Sequence, residues 1–422
     1  MTDVEHYKKL VQDQVNTISS RLIEMSDWLY QHPEYGCEEV EASKLLANEL
    51  EKHGFKVEKP FLNMPTSFKA SYNGKGSGPK AAILAEYDAL EGIGHGCGHN
   101  IIGTGAIGAG IALSKVMKEL NGEIIVLGCP AEENRKGGPP GGWPCQFSKQ
   151  IMCDKGVFEN IDAAIMIHPT AGITEVGRGA LIAQYIDVVF HGKSAHAAAD
   201  PWTGRNALQA ALLFLSGVNA FRQQLRRGRP YTPVIHWILT EGGTAGNVIP
   251  EIARCYGACR SEDKNYLEEI IEAVQNCAKG AALMTGCEFD FVRRRMTSRE
   301  AGTPNLYLTE LGYKNLLKLG VETEDWRVST RKEPAGSTDF SDVTKKVPSL
   351  EISISISKEE IPWHSVTSAK ATISDMGHKA LIDGAKALAM TAVDLFTVPE
   401  HLQKTKSVHL MDLDKYLARS AP

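Results

Sequence analysis

The chain of 422 residues contains no uninterrupted apolar stretch of membrane-spanning length. That sets aside a helical membrane protein, since one span needs about 20 apolar residues in a row. Charge of one sign is also missing: 46 Lys and Arg stand against 51 Asp and Glu, a formal net charge of −5. Such a balance excludes the broad basic surface that nucleic acid requires. The runs Arg226–Arg227–Gly228–Arg229 and Arg293–Arg294–Arg295 are short and read as solvated faces. Met1 to Lys9 has no apolar core of a secretory signal, so a cytoplasmic chain is expected. The 9 cysteines are odd in number and lack framework spacing, which fits a reducing compartment. Outside Cys97 they read as small core residues or idle thiols. Internal repeats and low-complexity segments are absent as well. Hydrophobic residues make up 43% of the chain, enough for sizeable cores, and the length favours two domains over one.

The informative stretch runs from Glu86 to Asn100, Glu-Tyr-Asp-Ala-Leu-Glu-Gly-Ile-Gly-His-Gly-Cys-Gly-His-Asn, directly after the apolar strand Ala81–Ala85. Cys97 and His99 flank a single glycine, so a thiolate and an imidazole can reach one point. Those are the donors that borderline transition metals prefer. The arrangement recurs three times. Ile124 to Cys129 leads into Pro130-Ala131-Glu132-Glu133, Ile161 to Ile167 delivers His168, and Ser349 to Ile356 precedes Trp363-His364. In an open α/β sheet ligands bind outside the carboxyl ends of the strands. Four strands ending in Cys, His or Glu therefore predict one metal site.

Neighbouring Glu132 and Glu133 point in opposite directions at a strand end and suit two roles. One ligates, and the other takes a proton from a water whose pKa a divalent ion lowers. Glu132 is read as the base and Glu133 as the ligand. Gly103-Thr104-Gly105-Ala106-Ile107-Gly108 is a literal G-x-G-x-x-G, which raises a nicotinamide-dependent oxidoreductase as a distant alternative. Against it, Cys97 to Asn100 intervene between strand and glycines, and the glycines continue to Gly110 as close helix packing would require.

Taken together these motifs resemble the co-catalytic metallopeptidase family of aminoacylases, hippurate hydrolases, auxin-conjugate hydrolases, glutamate carboxypeptidases and aminobenzoyl-glutamate hydrolases. The likeness extends through Trp28 to Glu34, Gly192-Lys-Ser-Ala-His196-Ala, Gly246-Asn247-Val-Ile-Pro250 and Gly336-Ser337-Thr338-Asp339-Phe340, and spans about residues 20 to 395. The Cys-Gly-His form is similar to the amidohydrolase branch, and Gly94 to Gly105 look closest to its aminobenzoyl-glutamate hydrolase and β-alanyl dipeptidase subgroup. The resemblance implies two divalent ions (Zn, Mn or Co) on Cys97, His99, Glu133, His168 and His364. It implies Glu132 as base, with Asp88 orienting the metal site from behind. His196, Asn247, Arg260, Gly336 and Ser337 would bind the carboxylate of a small substrate or stabilise an oxyanion, and the chain would form a homodimer or higher homo-oligomer. The implied reaction is hydrolysis of an N-acyl amino acid or dipeptide, with hydrolytic deamination of an aromatic amine as the alternative. Two departures stand out. Glu91 occupies a position where many relatives have proline, and Asn134 to Trp143 is long and rich in Gly and Pro.

The expected fold is α/β: a mainly parallel mixed sheet flanked by helices, phosphorylase/hydrolase-like, with an inserted α+β ferredoxin-like lid or dimerisation domain. Its strands and helices are read at Tyr185–His191, Gly204–Phe221, Val234–Thr240, Ala253–Cys259, Leu267–Thr285 and Glu288–Arg293, a β-α-β-β-α-β order. The boundaries fall at 185–296 for the insert and at 1–184 with 297–422 for the metal-binding domain. Residues after Pro399 are polar and read as an arm or tail.

Overall fold

The computed structural model describes residues 3–133, 144–334 and 336–420. The strands among them are β1 (Lys56–Glu58), β2 (Phe68–Asn73), β3 (Lys80–Glu86), β4 (Glu123–Cys129), β5 (Ala163–Thr170), β6 (Glu175–Val176), β7 (Ile182–His191), β8 (Val234–Glu241), β9 (Ile252–Ser261), β10 (Glu288–Arg293) and β11 (Ser349–Ser355). Seven form one sheet in the order β1-β2-β4-β3-β5-β11-β6. Its central members β4, β3, β5 and β11 are parallel, and the outer pairings are antiparallel. These are the four strands whose ends carry the candidate ligands. From β3 the chain crosses to β4 on one side and later to β5 on the other. A topological switch point therefore lies at the carboxyl end of β3, where a crevice must open.

The sequence explains the layering. β3 and β4 are apolar without alternation because both faces are covered. β11 alternates: Leu350, Ile352 and Ile354 enter the main core, leaving Glu351 and Ser353 on the opposite face. Helix His99–Val116 is buried along nearly its whole length and packs against β3, helix Ser19–Gln31 and helix Asp375–Thr397. Its glycines permit this. A Cβ at Gly103 would lie 2.6 Å from the Glu86 carbonyl oxygen, at Gly105 2.6 Å from Ile167 Cδ1, and at Gly108 2.6 Å from Leu22 Cδ1. The G-x-G-x-x-G pattern is thus spent on helix packing, and the nucleotide reading loses its ground.

The insert forms its own antiparallel sheet, β10-β7-β9-β8. Helices Ala207–Phe221 and Lys264–Thr285 close a separate apolar core with it, around Phe190, Phe214 and Ile270. The order and pairing are ferredoxin-like. One expectation is corrected. The segment after Pro399 is not a free arm: it forms helices Pro399–Ser407 and Leu413–Ser420. Val408 and Tyr416 are buried in the main core, Tyr416 donates to Glu310 Oε2 at 2.6 Å, and Asn305 Nδ2 donates to the Thr405 carbonyl at 2.9 Å. A few apolar residues, well spaced in a polar stretch, are enough to dock it. No helix among the described residues is long and apolar enough to cross a membrane.

Candidate metal centre

Gly98 begins the site. Its φ is +81°, and a Cβ there would lie 2.5 Å from Pro169 Cγ, so only glycine lets Cys97 and His99 flank this turn. His99 opens the central helix, and its Nδ1 donates to Asp88 Oδ1 at 2.9 Å. That leaves Nε2, buried and without a hydrogen-bond partner, facing Glu86 Oε2 at 3.4 Å and Glu132 Oε2 at 4.0 Å. His168 donates its Nδ1 proton to the Pro169 carbonyl at 2.8 Å and turns Nε2 to Cys97 Sγ at 3.5 Å. His364 Nε2 lies 3.4 Å from Glu133 Oε1, while the Glu133 amide donates to Asp88 Oδ2 at 2.9 Å.

Three overlapping donor groups result: Cys97, His99 and His168; Cys97, Glu133 and His364; His99, Glu132 and Glu133. Within each group the donor atoms lie within 4.8 Å of one another. The donor set fits a transition-metal pair. Soft and borderline ligands converge, His99 Nε2 and Glu133 Oε1 are buried without hydrogen-bond partners, and the His99 and His168 imidazoles are held through Nδ1 by an oxygen, as metal-binding histidines are.

The backbone that presents the glutamates is held in an unusual conformation. Ala131, just past β4, has φ +55°. Its amide donates to Glu39 Oε1 at 2.8 Å, and its carbonyl accepts from the Phe147 amide at 2.7 Å. Burial, reinforced by the charges of Glu86 and Glu133, pushes the Glu132 carboxyl well above the usual carboxylate range. Burial and Glu133 likewise push the Cys97 thiol up. Burial opposes charge on His99, but Asp88 and Cys97 outweigh it and raise the imidazole.

Beneath the donors lies a buried charged trio that sequence reasoning missed. Lys149 Nζ meets Glu86 Oε1 at 2.8 Å and forms a close ion pair with Asp339. The Lys149 amide also donates to Asp339 Oδ2, at 3.0 Å. All three residues are at most 1% exposed. Burial pushes Asp339 up to about 6, with Lys149 working against the rise. Glu86, although buried, is held below its ordinary range by Lys149 and His99. Asp339 therefore turns inward, and only Gly336, Ser337 and Thr338 of its loop reach the substrate side. Glu86 had a signal in its spacing, two residues before Asp88 on the same strand edge. Lys149 had none.

A cavity of about 490 Å³ opens over the donors, and Tyr185 and Arg260 reach it from the insert. Arg260 donates from Nη2 to Tyr185 Oη at 3.0 Å and from Nη1 to Ser337 Oγ at 3.4 Å. Its Nε is buried without a partner. His196 and Asn247 do not line this cavity. They lie together on the exposed surface of the insert, where the Ala197 amide donates to the Asn247 carbonyl at 3.0 Å and His196 Nδ1 accepts from the amides of Ala198 and Ala199 at 3.2 and 3.1 Å. The chain's own fold does not bring them to the donors. Asn134 to Trp143, the long Gly- and Pro-rich stretch, falls outside the described residues.

One cysteine expectation is corrected. Cys37 and Cys145 are joined by a disulfide across 108 residues, with Cα atoms 5.7 Å apart, instead of being idle thiols. Cys37 occupies a left-handed turn, φ +70°, that meets the end of the 144–147 segment. Such a long-range meeting leaves no trace in spacing.

Comparison with known proteins agrees with this geometry. Residues 182–284 match the family model described as a peptidase dimerisation domain. The chain is 31% identical to the mouse Xaa-Arg dipeptidase, covering 95% of this chain and 91% of that protein. It is 28% identical to a p-aminobenzoyl-glutamate hydrolase polypeptide of Escherichia coli K12, with coverages of 95% and 94%. Among solved structures, a dinuclear metal-binding M20-family peptidase of Bacillus subtilis superposes with a TM-score of 0.65 at 22% identity, covering 90% of this chain and 99% of that one.

Proposed function

The chain belongs to the M20 peptidase family, and on that footing we propose that it hydrolyses the amide bond of a small N-acyl amino acid or dipeptide, with Glu132 as general base. The observation that carries this reading is the convergence of three donor groups on one crevice, with the buried Glu132 carboxyl among them. Cys97, His99, Glu133, His168 and His364 would hold two divalent ions (zinc, manganese or cobalt), which when bound supply Lewis acidity toward the carbonyl and the attacking water.

The protein's own part is proton management and positioning. Glu132 accepts the proton of the attacking water and returns it to the amide nitrogen as the C–N bond breaks, a task suited to a carboxyl with a raised pKa. Asp88 serves both sides of the site, fixing the His99 ring through Oδ1 and the Glu133 backbone through Oδ2. Arg260, with Nε unengaged, offers a fork to the substrate's terminal carboxylate, and Gly336 and Ser337 shape the wall beside it. The insert, residues 185–296, mediates a homodimer in which His196 and Asn247 of one protomer complete the partner's site. That arrangement supplies a reason for their exposure and joint placement. The protein acts on small molecules in the cytoplasm.

The test is a screen of metal-loaded enzyme against N-acyl amino acids, aminobenzoyl-glutamate and β-alanyl dipeptides, each as free acid and amide. A free acid should be cleaved far better than its amide, and Arg260→Ala should lower kcat/KM for the acid while barely changing the amide. Equal cleavage of acid and amide by the wild type would contradict the carboxylate role, and no cleavage would contradict the reading as a whole.

A further inference from the structure

We propose that Glu351 binds a positively charged nitrogen of the substrate, so that the preferred substrates are zwitterions carrying a carboxylate and an ammonium or guanidinium. This rests on the amide-hydrolase reading above.

The alternation of β11 turns Leu350, Ile352 and Ile354 into the core and leaves the Glu351 side chain on the wall of the main cavity, beside Ser353 and Thr338. Among the described residues its carboxylate has no hydrogen bond or ion pair, and it belongs to none of the three donor groups. The cations around it are committed elsewhere. Arg178 donates to the Glu333 carbonyl at 3.1 and 2.9 Å. Lys149 is held between Glu86 and Asp339, and His168, the other group nearby that can carry positive charge, turns its Nε2 to Cys97.

Glu351 is half-buried, and its carboxylate opens to the cavity with no partner among the described residues to balance its charge. Buried acids elsewhere in this protein have partners: Arg21 for Glu49, Lys8 for Asp394, and Thr66 with the Ala131 amide for Glu39. Among the described residues Glu351 is left unpaired on the wall of the main cavity. Arg260 presents the complementary case, a guanidinium with an unengaged buried nitrogen on the same cavity. The two do not pair with each other. One cavity therefore offers an unmatched cation from the insert and an unmatched anion from the base. A ligand that satisfies both must carry both charges. A side crevice next to Glu351 measures only about 20 Å³, room for roughly one water, so the substrate's cation must sit in the main cavity.

The experiment uses metal-loaded wild type, Glu351→Gln and Glu351→Asp on two isosteric pairs. In the first, an acyl-lysine is set against the acyl-2-aminoheptanoic acid, in which a methyl replaces the ammonium. In the second, a β-alanyl amino acid is set against its butanoyl analogue. We expect wild type to favour the ammonium member of one pair by ~30-fold or more in kcat/KM, the scale of a partly desolvated charge pair. Glu351→Gln should collapse that ratio toward unity, and Glu351→Asp should retain part of it. The pair that responds tells whether the cation lies on the leaving residue or on the acyl part. Because the readout is a ratio within one enzyme, a general loss of folding or metal leaves it unmoved. Equal cleavage within both pairs by wild type, or an undiminished ratio in Glu351→Gln, would overturn the assignment while sparing amide hydrolysis. Failure to cleave any member would overturn both.

Discussion

Replacing Lys149 with methionine shortens the side chain by one atom and removes its charge. Glu86 and Asp339, each at most 1% exposed, would then lie together with no cation between them. Breaking a buried ion pair from one side costs about 3–5 kcal/mol, a large share of the ~5–15 kcal/mol that stabilises a typical domain. The cost depends on pH in a defined direction. Lys149 opposes the rise of both carboxyls, and Asp339 is already pushed up to about 6 with the lysine present. Without it Asp339 climbs further above its unfolded value, and Glu86 loses the cation that holds it below its own and rises as well. The folded variant then binds more protons than its unfolded chain, and stability falls as pH rises through that window. The deficit relative to wild type should be larger at pH 8.5 than at pH 5.5. Urea titration in excess chelator, which removes any contribution from metal binding, measures it as a shift in midpoint at constant m. A deficit below ~1 kcal/mol at both pH values, or one larger at pH 5.5, would refute the reasoning that the trio is held by its central charge.

Two further outcomes are expected. Burial and the charge of Asp88 push Glu39 up to about 8 from its ordinary 4.5, so the folded chain is the better proton binder between those values and loses stability as pH rises through them. Glu39→Gln keeps an acceptor for Ala131 and a partner for Thr66, so its thermal midpoint should decline less than wild type's from pH 6 to pH 9; parallel declines would contradict this. Mixed dimers of Glu132→Gln and His196→Ala chains should recover part of the activity that each lacks alone. No recovery in verified heterodimers would confine His196 to its own chain.

The donors were legible because each sits where an apolar run stops. Such runs become the parallel strands β3, β4, β5 and β11, and a parallel sheet sends their carboxyl ends to one side. The insert was legible for a similar reason: its switching periodicity marks strands and helices in turn. Other features were closed to that kind of reading. Lys149 looks like any solvated lysine at a helix start until Glu86 and Asp339, from distant segments, enclose it. Glu351 stands in an Ile/Ser alternation that shows two faces but not which of them meets a cavity. The disulfide between Cys37 and Cys145 and the docking of Tyr416 depend on long-range meetings with no local pattern.

The central claim is that Glu132 moves protons while its neighbours hold metal. The most direct measurement is metal content and kcat on one preparation of Glu132→Gln beside wild type, after identical metal loading. Wild-type metal stoichiometry is expected, with kcat lowered at least ~10²-fold, the scale of a lost general base. Loss of metal together with the rate would make Glu132 a ligand, and an unchanged rate would remove it from the chemistry.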